Sequence, residues 1–542
     1  MLRIALVIII AALLPSGVQT PDISGTWVAR PNEDFEFVWE LKIDGGKITG
    51  TQKSPMGDAP IVDGHVEGTK LEFTIENEFF GEIQRQTVTG EIVGDELRIT
   101  LPAGGRRGGA GRGRGAPGGV GGPPPPGAPG APGAEPGRGG PGGFLAGPLI
   151  ARRGTPTPNY RAPSLNYATL PTIDLPALKS LPYNGLAKTP PMGWNSWNKF
   201  RTRINDATVR EIADAMVASG MRDAGYVYIN IDDGWQGRRD ADGVLQPNPN
   251  FPDMKALATY VHAKGLKLGI YSSPGPRTCG GYEGSYAHEE IDARTWAAWG
   301  IDYLKYDWCS ASRIWQDESM RAVYQRMGEA LRKTGRPIVY SLCQYGRANV
   351  QQWAPAVAGN LWRTTFDIRD SYDSMAGIGF SQSDLARFAA PGHWNDPDML
   401  EIGNGAMSAN EYRTHFSLWA LLAAPLIAGN DIRSMSDETK AILLNREVIA
   451  IDQDALGNAG THVKTAGDTE VWARPLRGGA YAVGLFNRGA SEAEISITLN
   501  ELKLRGPVRV RDLWEQSERE RMTDAFTAKV PSHGVILVRL SR

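Results

Sequence analysis

The chain has 542 residues, too many for one ordinary domain, and 41% of them are hydrophobic, enough for several packed cores. A formal net charge of -2 excludes polyanion binding as the main role, because such a partner requires a strong basic surplus. Three cysteines are too few for a disulfide scaffold, and their spacing contains no CxxC metal motif.

Residues 1–20 read as an export signal: Arg3, an apolar run over 4–14, then a polar stretch of small residues. The run is too short to span a bilayer. The mature protein is therefore expected to be secreted or periplasmic, without membrane association. Residues 21–102 alternate apolar and polar positions, as at Phe35, Phe37, Trp39, Leu41 and Ile43, with Gly/Asp turns between runs. That period of two predicts a small antiparallel β domain. Residues 103–180, rich in Gly, Pro and Arg near their start, are expected to form a disordered linker. Its glycines lack the strand–turn–helix context of a dinucleotide fingerprint. Its arginines lack the interleaved aromatics of a nucleic-acid site.

Over 181–458 the pattern changes to strand–helix alternation. Strand candidates lie at 192–194, 226–231, 266–271, 303–306, 337–342, 361–365, just before Asn395, and at 425–428. Helix starts are marked by Asn205-Asp206, by Asn250 with Pro252, and by Ser408 ahead of Glu411. Continuous apolar strands in such alternation predict a (β/α)8 TIM barrel. From 459 to 542 alternation returns, and an antiparallel β-sandwich is expected. The fold class is thus multidomain α/β plus all-β: the barrel, a C-terminal β-sandwich, and an extra N-terminal β domain.

Acidic residues stand at the ends of the apolar runs: Asp232-Asp233, Asp307, Asp367 and Asp398. In a TIM barrel these ends converge on the active site. With Trp194, Trp197, Trp235, Tyr271, Lys305 and Arg363 they would line one pocket suited to a polyhydroxylated neutral ring. Glycoside cleavage needs two carboxyl groups in different protonation states. Lys305, two residues before Asp307 on a strand, points to the same side and favours its ionised form, which suits a nucleophile. Asp367, between apolar Phe366 and Ile368, suits the acid. A metal centre would use closely spaced histidines, and the seven present form neither HxH nor HExxH; His393 near Asp396 and Asp398 is the only nucleus. No cofactor is expected.

Several stretches carry a family resemblance. They are Leu186-Ala-Lys-Thr-Pro-Pro-Met-Gly-Trp-Asn-Ser-Trp197, Ile231-Asp-Asp-Gly-Trp235, Leu266-Lys-Leu-Gly-Ile-Tyr271, Arg277-Thr-Cys-Gly-Gly281, Leu304-Lys-Tyr-Asp307, Trp362-Arg-Thr-Thr-Phe-Asp-Ile368 and Asn395-Asp-Pro-Asp-Met399. From about residue 186 onward the chain resembles glycoside hydrolase family 27, the α-galactosidases and α-N-acetylgalactosaminidases. The resemblance implies retaining hydrolysis of terminal α-linked galactose, with Asp307 as nucleophile and Asp367 as acid/base. It implies sugar contacts from Trp197, Asp232, Asp233, Tyr271, Cys279, Lys305, Gln344, Arg363 and Asp398. It also implies a Cys279–Cys309 disulfide and leaves Cys343 as a free buried thiol. The partner is then a galactose-containing carbohydrate, and retention predicts carboxyl groups roughly 5–6 Å apart.

Two positions depart from the family pattern. Gln344-Tyr345 stands where Glu-Trp is frequent, and it is too bulky for a 2-acetamido group, which favours galactose. Phe366 stands where Gly or Ala is common and adds bulk on the leaving-group side. The alternatives are an α-N-acetylgalactosaminidase, a β-L-arabinopyranosidase, or a non-catalytic carbohydrate-binding barrel that turnover would exclude.

Overall fold

The computed structural model describes residues 22–32, 35–54, 57–79, 82–101, 148–156, 160–163 and 165–542. The expected export signal and the Gly/Pro-rich part of the expected linker lie outside the described residues.

The N-terminal β domain is a closed antiparallel barrel of eight strands. These are β1 (Gly25–Asn32), β2 (Phe35–Asp44), β3 (Lys47–Ser54), β4 (Gly57–Glu67), β5 (Lys70–Phe79), β6 (Glu82–Val93), β7 (Glu96–Thr100) and β8 (Leu149–Arg153). The alternation of the sequence becomes inside and outside: Trp39 and Leu41 are buried in the lumen with Phe73, Val88 and Leu97. Strand β8 corrects the linker expectation, since it lies inside 103–180 and pairs with both β7 and β1. Its five residues carry only two inward side chains, Leu149 and Ala151, too short a pattern to read beside a Gly/Pro-rich tract. Without it, β1 and β7 would present open edges. The stretch 165–185 is also placed against the parallel-sheet unit that follows it, through Tyr286 Oη to the Pro171 carbonyl (2.7 Å) and Gln325 Nε2 to the Ala177 carbonyl (2.8 Å).

The parallel-sheet unit contains β9 (Met192–Asn195), β10 (Tyr228–Asn230), a hairpin of β11 (Gln236–Arg239) and β12 (Leu245–Pro247), then β13 (Lys267–Ser272), β14 (Tyr303–Asp307), β15 (Val339–Cys343), β16 (Leu361–Arg363), β17 (Trp394–Asp396) and β18 (Leu426–Ala428). Apart from the hairpin these form one curled parallel sheet in the order β17-β16-β15-β14-β13-β10-β9-β18. Its two edges meet through a parallel bridge between Leu400 and Ala428. All eight expected strands form. The helix over Asp206–Ala218 starts at Asn205 as expected, whose side chain accepts from the Thr208 amide. The helix over Ala409–Leu422 opens with a Ser408/Glu411 capping box. The helix expected from Asn250 begins later, at Met254, because Asp253 and not Asn250 caps it.

The C-terminal domain contains β19 (Thr461–Ala466), β20 (Thr469–Pro475), β21 (Tyr481–Asn487), β22 (Ala493–Thr498), β23 (Val508–Asp512), β24 (Ser517–Met522), β25 (Ala525–Val530) and β26 (Val535–Ser541). A six-stranded sheet, β19-β20-β21-β26-β23-β24, packs on the β22–β25 pair around Val483, Leu485, Ile497 and Val510. Buried Arg474 ties it to the parallel-sheet unit by donating to the Ala420 carbonyl at 2.6 Å. Among the described residues no helix is long and apolar enough to cross a membrane.

Candidate active site

The carboxylates named from the sequence stand at or just beyond the C-terminal ends of the parallel strands. After β10, Asp232 is 2% exposed and accepts from Lys305 Nζ on β14 and from Asn195 Nδ2 at the end of β9, both at 2.8 Å. Ser196 Oγ meets the Asp232 amide at 2.9 Å. Burial is the largest influence and opposes the charge on Lys305, but Asp232, Cys343 and Asp307 together outweigh it and hold the ammonium well protonated. Lys305 thus pairs with Asp232, and it acts on Asp307 only as a nearby charge.

Asp233 is buried and accepts from the Gly280 amide at 2.6 Å, while its Oδ1 receives no hydrogen bond among the described residues. Burial, with Asp232 and Asp307 nearby, pushes its carboxyl up to about 7. A buried acceptor left open in this way is suited to a ligand hydroxyl.

Asp307 ends β14. Its Oδ1 accepts from Tyr345 Oη at 2.6 Å and its Oδ2 from Tyr271 Oη at 3.2 Å. Burial raises its carboxyl to about 6; Lys305 and the Tyr345 hydroxyl pull the other way and lose. The ammonium expected to keep Asp307 ionised is therefore outweighed by desolvation below about pH 6. Cys279 and Cys309 are disulfide-bonded beside this carboxylate, with Cys309 Sγ 3.3 Å from Tyr271 Oη. Cys343 is a free, buried thiol.

Asp367 lies four residues after Arg363, its side chain 59% exposed and 3.1 Å from the guanidinium. The apolar enclosure expected from Phe366 and Ile368 does not form. Phe366 is itself 56% exposed and stacks on Tyr345 at 5.7 Å between centroids. Arg363 is buried and also meets Asp398 at 2.8 Å. Asp398 accepts from the amides of Ile368 and Met399 and adopts a φ of 87°, a strained conformation held by these bonds. One arginine thus links the exposed Asp367 to the buried Asp398.

Trp197 is half-buried at the start of a short helix, under the Arg201 guanidinium at 5.2 Å. Gln344 is fully buried, its Nε2 directed at the Arg363 carbonyl at 3.4 Å and its Oε1 without a donor among the described residues. Two further residues expected at the pocket have their indole N–H groups taken by backbone carbonyls. Trp194 and Trp235 are wholly buried, their indole N–H groups donating to the carbonyls of Asn430 and Tyr271. Trp194 lies on β9 and Trp235 directly follows Asp232-Asp233-Gly234, and side-chain direction at both depends on the barrel's closure. His393 turns away from Asp396 and Asp398, its Nδ1 3.0 Å from the Gly359 carbonyl and its ring against Tyr183. The one cluster of potential metal ligands among the described residues is Cys279, Asp307 and Cys309, and its two sulfurs are spent in the disulfide.

The hydrogen bond from Tyr345 to Asp307 was not legible in the sequence. Tyr345 has a φ of 62°, and that left-handed turn after β15 swings its ring over β14. Nothing in the local pattern marks the turn except Gly346 beside it.

Residues 189–454 match the family model described as alpha galactosidase A, and 466–540 match the alpha galactosidase C-terminal beta sandwich domain. An alpha-galactosidase of Cyamopsis tetragonoloba is 50% identical over 65% of this chain and 85% of its own. The crystal structure of alpha-galactosidase I from Mortierella vinacea is 38% identical with a TM-score of 0.63, covering 66% of this chain and 98% of that one. A solved structure from Bacteroides fragilis NCTC 9343, 29% identical with a TM-score of 0.64, covers 97% of this chain and all of its own.

Proposed function

The chain belongs to glycoside hydrolase family 27, and we propose that Asp307 and Asp367 are the carboxyl pair of its retaining α-galactosyl hydrolysis. The observation that carries the pairing is the contrast between the two environments. Asp307 is enclosed and held by two tyrosine hydroxyls, whereas Asp367 is exposed at the rim, where a leaving group departs.

In the first step Asp307 attacks the anomeric carbon while Asp367 gives its proton to the glycosidic oxygen, and the aglycone leaves. In the second, Asp367 takes a proton from water, which attacks the same carbon and releases Asp307. Both displacements invert, so the configuration is retained. Tyr345 and Tyr271 orient the attacking carboxylate through its two oxygens. The Asp232–Asp233–Lys305 cluster binds the 4- and 6-hydroxyls, and the open Oδ1 of Asp233 supports that role. Gln344 and Tyr345 are not the small residues that a 2-acetamido group needs, which supports galactose as the sugar. Export by the N-terminal segment belongs to the same proposal and rests on the sequence of residues 1–20.

The test is hydrolysis of aryl α-galactoside, 2-acetamido-α-galactoside and β-L-arabinopyranoside by wild type, Asp307→Ala and Asp367→Ala. The expected result is α-galactosidase activity that both substitutions abolish, with external azide restoring turnover in Asp307→Ala. Silence of folded wild type on all three sugars would establish the binding-barrel alternative instead.

A further inference from the structure

The N-terminal barrel takes no part in the chemistry above, yet it is tied to the catalytic unit beside the active site. The tie is Arg161, whose side chain is 8% exposed. Its guanidinium donates to Asp58 Oδ1 at 2.6 Å and to the Ser54 carbonyl, on the facing ends of β4 and β3. Its backbone is held from the other side. The Arg161 carbonyl accepts from Arg238 Nη2 at 2.8 Å, and the Ala162 amide donates to the Gly281 carbonyl at 3.0 Å. The Pro163 carbonyl accepts from Arg277 Nη2 at 3.0 Å.

The loop gripped in this way, 277–284, is the one whose Gly280 amide donates to Asp233. It has no slack against that carboxylate: a Cβ on Gly280 would lie 2.9 Å from Asp233 Oδ2 and 3.1 Å from the Tyr282 ring. A chain of direct contacts therefore runs from the N-terminal barrel through Arg161 and Gly281 to Asp233. Loops held in their bound conformation do not pay ordering entropy when the ligand arrives.

We propose that Arg161 is a positioning residue through which the N-terminal barrel holds the 277–284 loop against Asp233 and so sets the affinity for the galactosyl ring. The proposal rests on Asp233 being a galactose ligand. It gives the barrel a role in binding, because the hydrogen bonds that orient Asp307 come from Tyr271 and Tyr345, and the gripped loop reaches that carboxylate's surroundings only through Cys279 of the disulfide.

The test compares wild type, Arg161→Ala, Arg161→Lys and Asp58→Ala in full-length protein. Turnover of an aryl α-galactoside gives kcat and KM, and calorimetry gives galactose affinity. Arg161→Ala is expected to raise KM and the galactose Kd together by about tenfold while kcat stays within about twofold. Arg161→Lys keeps the charge facing Asp58 and is expected to recover part of the loss. Asp58→Ala, on the exposed face of the barrel, is expected to move KM in the same direction by less. A lowered Tm with KM and Kd unchanged would mean a simple tether and would overturn the proposal. So would a loss confined to kcat. If Arg161→Ala fails to fold, unchanged galactose affinity in Asp58→Ala overturns it equally. Wild type that binds galactose without turnover would count against the catalytic reading alone, with the variants' galactose affinities still deciding the clamp.

Discussion

Replacing Tyr345 with Phe removes the shorter of the two hydrogen bonds to Asp307, 2.6 Å against 3.2 Å from Tyr271, and leaves the ring stacked on Phe366. A hydrogen bond to a charged group contributes about 1.5–3 kcal/mol. One pKa unit is about 1.4 kcal/mol, and relaxation of the Tyr271 contact offsets part of the loss, so a shift of about one unit is expected. The sign follows from which form is stabilised: a donor favours the carboxylate, so its removal raises the pKa from about 6 toward about 7. The nucleophile must be ionised, so the acid limb of kcat/KM moves upward. Near pH 6 the ionised fraction falls from about one half to about one tenth, a loss of about fivefold from titration alone. That part of the deficit closes above about pH 8, where both enzymes are ionised. The assay is the pH profile of kcat/KM for an aryl α-galactoside with wild type and Tyr345→Phe. An acid limb that stays in place, or moves down, refutes the account of Asp307.

Arg363→Ala should lower folding stability by about 3–5 kcal/mol, because it leaves buried Asp398 as an uncompensated charge. Urea denaturation measures this, and a loss below about 1 kcal/mol would contradict the assignment. Thermal stability should fall as pH rises from about 5 to about 8. Burial, the leading cause for each, lifts Asp307 and Asp396 to about 6, Asp233 to about 7 and Glu401 to about 8. Groups whose folded pKa is raised contribute stability below their unfolded pKa and lose it through the folded one. A calorimetric Tm that climbs over this interval would reverse the sign. Phe366→Ala removes a ring that is 56% exposed beside Asp367, so stability should change by under about 1 kcal/mol. Activity on branched galactosides should rise relative to a small aryl galactoside, and an unchanged ratio would remove Phe366 from the leaving-group side.

The strand positions of the catalytic unit were legible in the sequence because a buried parallel strand is a continuous apolar run, and a carboxylate that ends such a run stands out. Asp232, Asp233 and Asp307 were found in that way, and the alternating runs of both terminal domains exposed their β character equally well. Contacts between distant segments were not legible. Lys305 shares a strand face with Asp307, yet its ammonium settles on Asp232 because β10 brings that carboxylate within 2.8 Å. Trp194 and Trp235 look like pocket aromatics from their neighbours, and barrel closure turns both inward. Asp367 sits between two apolar residues in the chain and in solvent in the fold. Strand β8 completes its barrel with two inward side chains, a signal too small to read until β1 and β7 require a partner. Local pattern determined which residues form strands and which acids end them. Only the tertiary structure decided which charges meet, since pairing across strands depends on the curl of the sheet and on what burial costs each ion.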